Sequence, residues 1–378
     1  MATPSAHQVQ VAVSLPTLAA GGAETVMLRI AGGIAARGIA TDLVLARAEG
    51  QLRDRVPAGV RAIDLGARRP LVVGKTIGLA RYLARVRPGA LVSALDVVNA
   101  AAVARGLSRA PTRLVLSIHT NLTEQFADKP DLGIARVRRL LVRALYDRAD
   151  AIVAVSQGVA DDAARIADLD PRRVTVIPNP IVTPELSVRA QEPVSHRFFD
   201  DATPVVLGVG RLVRQKDFAT LLRAFHAVRK RRDARLVILG PADPREARTA
   251  ADLHALACEL GVGDDVDFAG WVPNPAAYMA RADVLAVSSI YEGFGNVIAE
   301  ALAVGTPVVA TDCPSGPAEI LDRGRYGRLV PVGDHEALGD AILGTLAARR
   351  EPAALRARAA RYRTEQIVDE YLAVLDGV

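Results

Sequence analysis

Cysteine is almost absent from this chain: of 378 residues only Cys258 and Cys313 carry a thiol. They form neither a CxxC pair nor a pattern with histidine. That excludes a disulfide framework and a cysteine-based zinc site, and both thiols are expected to be reduced and structural. Aromatic residues are scarce, at 4%, and no basic stretch is interleaved with them, so nucleic acid is not an expected partner. No apolar run approaches the roughly 20 residues that a membrane-spanning helix needs. The opening MATPSAHQVQ lacks a basic segment leading into an apolar core, so no signal peptide is expected and the chain is read as cytoplasmic.

What is present is a globular composition, half of it hydrophobic. At this length two domains of roughly 150–200 residues, each with its own core, are expected. The net charge of +5 is unevenly spread: residues 1–185 hold 24 Lys and Arg against 16 Asp and Glu, whereas residues 186–378 hold 23 against 26. The basic first half should favour an anionic partner, and an anionic membrane surface suits it better than nucleic acid.

Apolar runs of strand type alternate with helical periodicity along the whole chain, which predicts an α/β class with two parallel-sheet domains. In the first half, strands are expected at Val9–Leu15, Thr41–Ala46, Arg61–Leu65, Ala90–Ala94, Arg113–Ile118, Ala151–Val155 and Val174–Ile177. The first runs through Gly21-Gly22-Ala23-Glu24 into a helix expected from Thr25 to Arg37. That glycine loop is either a plain connection or a place where a ligand meets backbone, at the strand end where open α/β sheets bind. His119 ends the strand Arg113–Ile118, which suits a cleft position. Over Ile134–Ala149, Ile134, Val137, Leu140, Leu141, Ala144 and Leu145 form a stripe, with Arg136, Arg138, Arg139, Arg143 and Arg148 elsewhere. This fits a core-facing helix with a solvated basic face, or one that touches a membrane.

The polar, proline-rich stretch from Pro178 to about Ser195 reads as a linker. Beyond it a strand, Pro204–Val209, enters Gly210-Arg211-Leu212-Val213-Arg214-Gln215-Lys216-Asp217-Phe218. Gly208 and Gly210 form a GxG, but a third glycine is missing and the next strand, Leu236–Leu239, ends without an acidic residue. Both points argue against a dinucleotide site. Asp168-Leu169-Asp170 and Asp265-Val266-Asp267 look like metal-binding acid pairs, but they fall in polar turns and are read as solvated. Trp271 is read either as core or as part of a turn contact.

The densest stretch runs from Ser288 to Leu321, SSIYEGFGNVIAEALAVGTPVVATDCPSGPAEIL. An apolar strand ends just before it, Gly293 and Gly295 allow a sharp turn, and a helix is expected to start near Asn296. The first amides of a helix lack intrahelical partners and lie at the positive end of its dipole, so Phe294, Gly295, Asn296 and Val297 can offer N–H groups to an anion such as a diphosphate. Glu292 stands before the helix and Glu300 about one turn inside it, where both can face the same cleft.

The segment EGFGNVIAEALAVGTPVVATDCPSGPAEIL resembles the donor-binding motif of the retaining glycosyltransferases of family 4. That family has the GT-B fold, two Rossmann-like domains facing a central cleft. Asp312-Cys313-Pro314-Ser315-Gly316-Pro317 is similar to the branch that builds bacterial lipid-linked oligosaccharides and surface polysaccharides. The resemblance implies an acceptor domain over 1–185, a nucleotide-sugar domain over 186–360, and a last helix, 361–378, crossing back to the first domain. It also implies that Arg211 and Lys216 hold the donor diphosphate, that Glu300 takes the ribose hydroxyls and Glu292 the sugar hydroxyls, and that the turn with Val272 meets the base. Gly21 and Gly22 then approach the donor phosphates, and His119 lies beside the transferred sugar. The implied reaction is transfer, with retention and without a metal or other cofactor, from a UDP-hexose or UDP-N-acetylhexosamine to a glycan or polyprenyl-linked acceptor. The enzyme is then cytoplasmic, or peripheral on the inner face of the cell membrane. A non-catalytic nucleotide-sugar-binding protein and a nucleotide-sugar epimerase on the same fold are the alternatives.

Overall fold

The computed structural model describes residues 10–19, 21–127, 132–349 and 351–375. The chain divides into two units, Met1–Pro180 with Thr364–Val378, and Ile181–Arg363. In the first, seven strands form one parallel sheet: β1 (Val11–Leu15), β2 (Thr41–Leu45), β3 (Val60–Asp64), β4 (Ala90–Ala94), β5 (Arg113–Ile118), β6 (Ala151–Ala154) and β7 (Val174–Val176). Their order is β3-β2-β1-β4-β5-β6-β7. β1, β2 and β4 are buried from end to end, as strands with both faces covered must be. β3, at the edge, is mostly exposed, which is why Arg61–Leu65 carries so weak a strand signal.

The second unit holds β8 (Val205–Val209), β9 (Arg235–Leu239), β10 (Val266–Gly270), β11 (Val284–Val287), β12 (Val308–Thr311) and β13 (Arg328–Val330), all parallel. Their order is β10-β9-β8-β11-β12-β13. Strand order reverses between β1 and β4 in one sheet and between β8 and β11 in the other. At such switch points neighbouring loops diverge and leave a crevice beyond the carboxyl ends of the strands. Under the second crevice, Leu221, Leu222, Phe225 and Val228 of the helix Phe218–Arg229 pack fully buried against Val206, Leu236 and Ile238.

The last helix, Thr364–Leu375, belongs to the first unit and lies on the helix Gly22–Ala35. Gly33 makes this contact close, since a Cβ there would sit 2.4 Å from Val368 Cγ2. Arg37 donates to the Glu365 carbonyl at 2.9 Å and pairs with Asp369 at 2.5 Å.

Two expectations change. The stretch read as a linker is folded into the second unit from Ile181 on: Ile181, Leu186 and Val194 are buried, and Ile181 and Val182 donate to the Tyr362 carbonyl. Pro184 starts a short helix, Pro184–Arg189, within it. The second change concerns the helix Leu132–Tyr146, whose inner face is Val142, Leu145 and Tyr146, so that the predicted stripe points outward at Val137, Leu140, Leu141 and Ala144. The side chains of Ile134, Arg136 and Arg138 lie outside the described residues.

Candidate functional site

Three loops at carboxyl ends of the second sheet build the candidate site. The loop after β8 lies on the loop after β9: Gly210 donates to the Leu239 carbonyl at 2.8 Å and Leu212 to the Pro241 carbonyl at 3.0 Å. A Cβ at Gly240 would fall 1.9 Å from the Gly210 carbonyl oxygen, so only glycine allows the two backbones to meet there. This contact sets Arg211, whose Nη1 pairs with Asp243 Oδ2 at 2.7 Å. Asp243 is buried, so the guanidinium is aimed by a carboxylate that cannot move away.

Three hydrogen bonds and one ion pair tie the same loop to the stretch after β11. Ile290 donates to the Gln215 carbonyl at 2.8 Å, and Gln215 Nε2 to the Tyr291 carbonyl at 2.9 Å. Ser288 Oγ donates to the Lys216 carbonyl at 2.8 Å. Lys216 Nζ then pairs with Glu292 Oε1 at 2.5 Å, and Ser289 Oγ donates to that oxygen at 2.7 Å. Lys216 and Glu292 are mostly enclosed, with 18% and 8% of their side chains exposed.

After Glu292 the chain turns at Gly295, φ +95°, into the helix Asn296–Val304. The amides of Gly295 and Val297 have no hydrogen-bond partner among the described residues. Phe294 is buried and packs edge-on against Tyr362, with ring centroids 5.3 Å apart. The segment Pro314–Pro317 braces this turn from behind. Glu292 donates its amide to the Pro314 carbonyl at 3.2 Å, and Gly316, φ +96°, comes so near that a Cβ would lie 1.9 Å from the Phe294 carbonyl oxygen. Burial, then the charge of Glu292, pushes the Cys313 thiol up to about 12, which leaves it inert.

Of the residues singled out from sequence, Arg211, Lys216, Glu292, Phe294, Gly295, Asn296 and Val297 come together here. Glu300 is half-buried one turn further along the same helix, and Val272 is half-buried just after β10, at the same sheet end. Gly21, Gly22 and His119 lie in the first unit. Gly21 caps the helix Gly22–Ala35 after β1, and a Cβ on it would meet Glu24 Oε2 at 2.1 Å. His119 follows β5, and the helix Leu122–Ala127 just beyond it is held by buried Asp162, which accepts from the Leu122 and Thr123 amides at 2.6 and 3.0 Å. Burial pushes the His119 imidazole down to about 4, so it is neutral near pH 7.

The carboxylates of the two acid pairs range from 71% exposed at Asp168 to 16% at Asp265, and each has a basic partner. Asp265 pairs with Arg229 and Arg235, Asp267 with His196, Asp168 with Arg143 and Asp170 with Arg172. Among the described residues no group of three or more His, Cys, Asp or Glu is placed to hold a metal ion. Trp271 is half exposed, which removes it from the core. Sequence reasoning missed Asp243, Ser289 and Gln215, whose partners lie 32, 3 and 76 residues away. Only the close Glu292 spacing of Ser289 was visible in principle.

Residues 203–348 match the family model for glycosyl transferases group 1, and residues 20–184 the one for glycosyltransferase family 4. The lipopolysaccharide core biosynthesis glycosyltransferase LpsE of Rhizobium meliloti is 35% identical over 253 residues, 64% of this chain and 69% of that protein. A Campylobacter jejuni N-acetylgalactosamine-N,N'-diacetylbacillosaminyl-diphospho-undecaprenol 4-alpha-N-acetylgalactosaminyltransferase is 33% identical over 202 residues, 53% of this chain. That alignment spans only 52% of the Campylobacter protein. Anabaena HepE, solved with UDP and glucose, superposes with a TM-score of 0.77 at 20% identity, covering 98% of this chain and 100% of that one. The glycosyltransferase WaaG gives 0.72 at 20% identity, covering 97% and 100%. At that identity these two structures establish the fold, GT-B, which the seven- and six-stranded parallel sheets share. With two family models covering both units and a relative 35% identical across two thirds of its own length, the chain belongs to the family 4, group 1 glycosyltransferases.

Proposed function

We propose that the protein transfers a sugar, with retention of anomeric configuration, from a nucleotide diphosphate sugar to a hydroxyl of a glycan or lipid-linked glycan in surface-polysaccharide synthesis. The observation that carries this is the single loop cluster holding Arg211, Lys216 and Glu292 beside the helix start at Gly295–Val297. Two cations and a set of helix-end amides suit the charge that grows on a departing diphosphate, and they act without reorganising. Arg211 can grip two oxygens, whereas Lys216 acts as a point charge. Glu292 and Glu300 are acceptors suited to sugar and ribose hydroxyls. His119, Gly21 and Gly22 are assigned to the transferred sugar and the donor phosphates on the family resemblance. In the retaining reaction assigned here, the departing phosphate takes the acceptor proton, and no covalent protein nucleophile is required.

A uridine donor is favoured by resemblance and by HepE, whose structure contains UDP and glucose. A polyprenyl-diphosphate acceptor is favoured by the Campylobacter relative, whose name carries diphospho-undecaprenol. No metal or other cofactor is assigned, because the cations and amides can neutralise the diphosphate themselves. An anionic membrane surface is the proposed partner of the first unit.

The test is calorimetric titration with UDP, GDP and ADP, then UDP-sugars, each with and without magnesium. Selective binding of one diphosphate, indifferent to magnesium, is expected, and Arg211→Ala with Lys216→Ala should abolish it in a protein that still unfolds cooperatively. Unchanged affinity in that double variant would remove both residues from the donor site. Nucleotide release only in the presence of an acceptor distinguishes the transferase from an epimerase or a binding protein.

A further inference from the structure

In the first unit, His119 Nε2 lies 2.9 Å from Ser117 Oγ, and Ser117 Oγ lies 2.9 Å from the Tyr371 hydroxyl. Ser117 is the last residue but one of β5, and Tyr371 sits on the helix Thr364–Leu375, so residues 254 apart in sequence meet at one hydroxyl. Both hydroxyls are enclosed: Ser117 is 0% and Tyr371 1% exposed. Among the described residues neither has another side-chain partner, and His119 Nδ1 is enclosed without any.

Three protons can be shared along this row: one on Tyr371, one on Ser117 and one on the neutral ring. If the ring donated from Nε2 to Ser117, and Ser117 to Tyr371, the buried phenol proton would have no acceptor. If ring and phenol both donated to Ser117, the serine proton would have none. Each order leaves one of the three protons unmet; only the order Tyr371 to Ser117 to Nε2 meets both protons of the fully buried hydroxyls and leaves the unmet one on the ring of half-buried His119, where a ligand has to supply the acceptor. It leaves the ring proton on Nδ1.

We propose that Tyr371 and Ser117 are positioning residues that fix His119 as its Nδ1–H tautomer, so that this histidine presents a neutral hydrogen-bond donor to an acceptor oxygen of a ligand. Resting on the glycosyl-transfer reading, that oxygen is a hydroxyl oxygen of the transferred sugar. The C-terminal helix then does more than cover the first sheet, because its one buried phenol sets the direction of the hydrogen-bond row and thereby which ring nitrogen donates.

The tautomer can be read without any substrate, which separates this inference from the assignment of activity. Protein labelled with 15N-histidine carries six rings, and long-range proton–nitrogen correlation spectra distinguish a pyrrole-type from a pyridine-type nitrogen in each. The His119 signals are identified by their loss in His119→Gln. The expected result at pH 7 is a pyrrole-type Nδ1 and a pyridine-type Nε2. Ser117→Ala frees the ring, which should relax toward the Nε2–H form that neutral histidine prefers in water. Tyr371→Phe leaves Ser117 able to turn either way, and a measurable Nε2–H fraction should appear. An Nε2–H ring in the unaltered protein, or an unchanged ring in Ser117→Ala, would overturn the proposal. An unchanged ring in Tyr371→Phe alone would remove Tyr371 from it. Unfolding midpoints taken in parallel report whether each variant is folded, a loss that would move every histidine signal and not His119 alone.

Discussion

At the scale of single residues, the pair Lys216–Glu292 shows how stability and function share side chains here. The carboxylate is enclosed, and Lys216 Nζ at 2.5 Å and Ser289 Oγ at 2.7 Å are the partners that meet its charge. Removing the ammonium leaves a buried charge with one neutral donor, and breaking such a pair typically costs about 3–5 kcal/mol. Lys216 keeps some exposure, so a value at or below the lower end, about 2–3 kcal/mol, is expected for Lys216→Ala. Adding Glu292→Gln removes the unmet charge while the amide can still accept from Ser289. The double variant should therefore regain most of the lost stability, as measured by urea unfolding, yet regain no nucleotide affinity. If the double variant were as unstable as Lys216→Ala, the cost would lie in packing and not in charge. Arg211, Lys216 and Glu292 could be found in the sequence because their neighbours form dense local patterns of glycine, charge and helix start. Asp243, which aims Arg211, could not, since nothing nearby in sequence announces a partner 32 residues away.

At the scale of elements, parallel strands were the most legible feature, because burial on both faces forces runs such as Val284–Val287 to be apolar throughout. Helix faces were less legible. In Leu132–Tyr146 apolar residues occupy both the inner face, Val142, Leu145 and Tyr146, and the outer one, Val137, Leu140 and Leu141, so periodicity alone did not say which was which. The outer three are 56%, 61% and 46% exposed, with Arg139 and Arg143 exposed among them. Apolar side chains bordered by guanidinium groups suit the headgroup region of an anionic bilayer, which takes the charge at its surface and the hydrocarbon just beneath. Phosphatidylglycerol-containing vesicles should therefore sediment the protein, and phosphatidylcholine vesicles should not. Leu140→Ser with Leu141→Ser should weaken binding by about tenfold or more, at roughly 1 kcal/mol for each partly inserted side chain. Loss of binding at high salt with these leucines intact would show the arginines acting first. Equal sedimentation by both kinds of vesicle would sink the charge-based reading.

At the scale of the whole molecule, the chain leaves the first unit at Pro180 and returns to it at Thr364. The returning helix is not trim. Ile367, Val368, Tyr371 and Leu375 are all between 0% and 3% exposed, and Gly33 of the helix beneath has no side chain so that Val368 can seat against it. Burying one large apolar side chain is worth about 1.5–3 kcal/mol, so four of them contribute on the order of 6–12 kcal/mol, comparable with the whole net stability of a domain. Arg113 Nε, donating to the Val374 carbonyl at 3.2 Å, and Arg37, held by Glu365 and Asp369, add directional ties to the same helix. A chain ending at Arg363 should therefore lose the cooperative unfolding of its first unit while the second, Ile181–Arg363, stays folded. Hydrogen exchange read by mass spectrometry would separate the two, with β1, β4 and β5 losing protection and β8, β9 and β11 keeping it. Full protection of β1 in the truncated chain would mean that the first sheet and its own helices suffice, and that the return crossing contributes little beyond the placement of Tyr371.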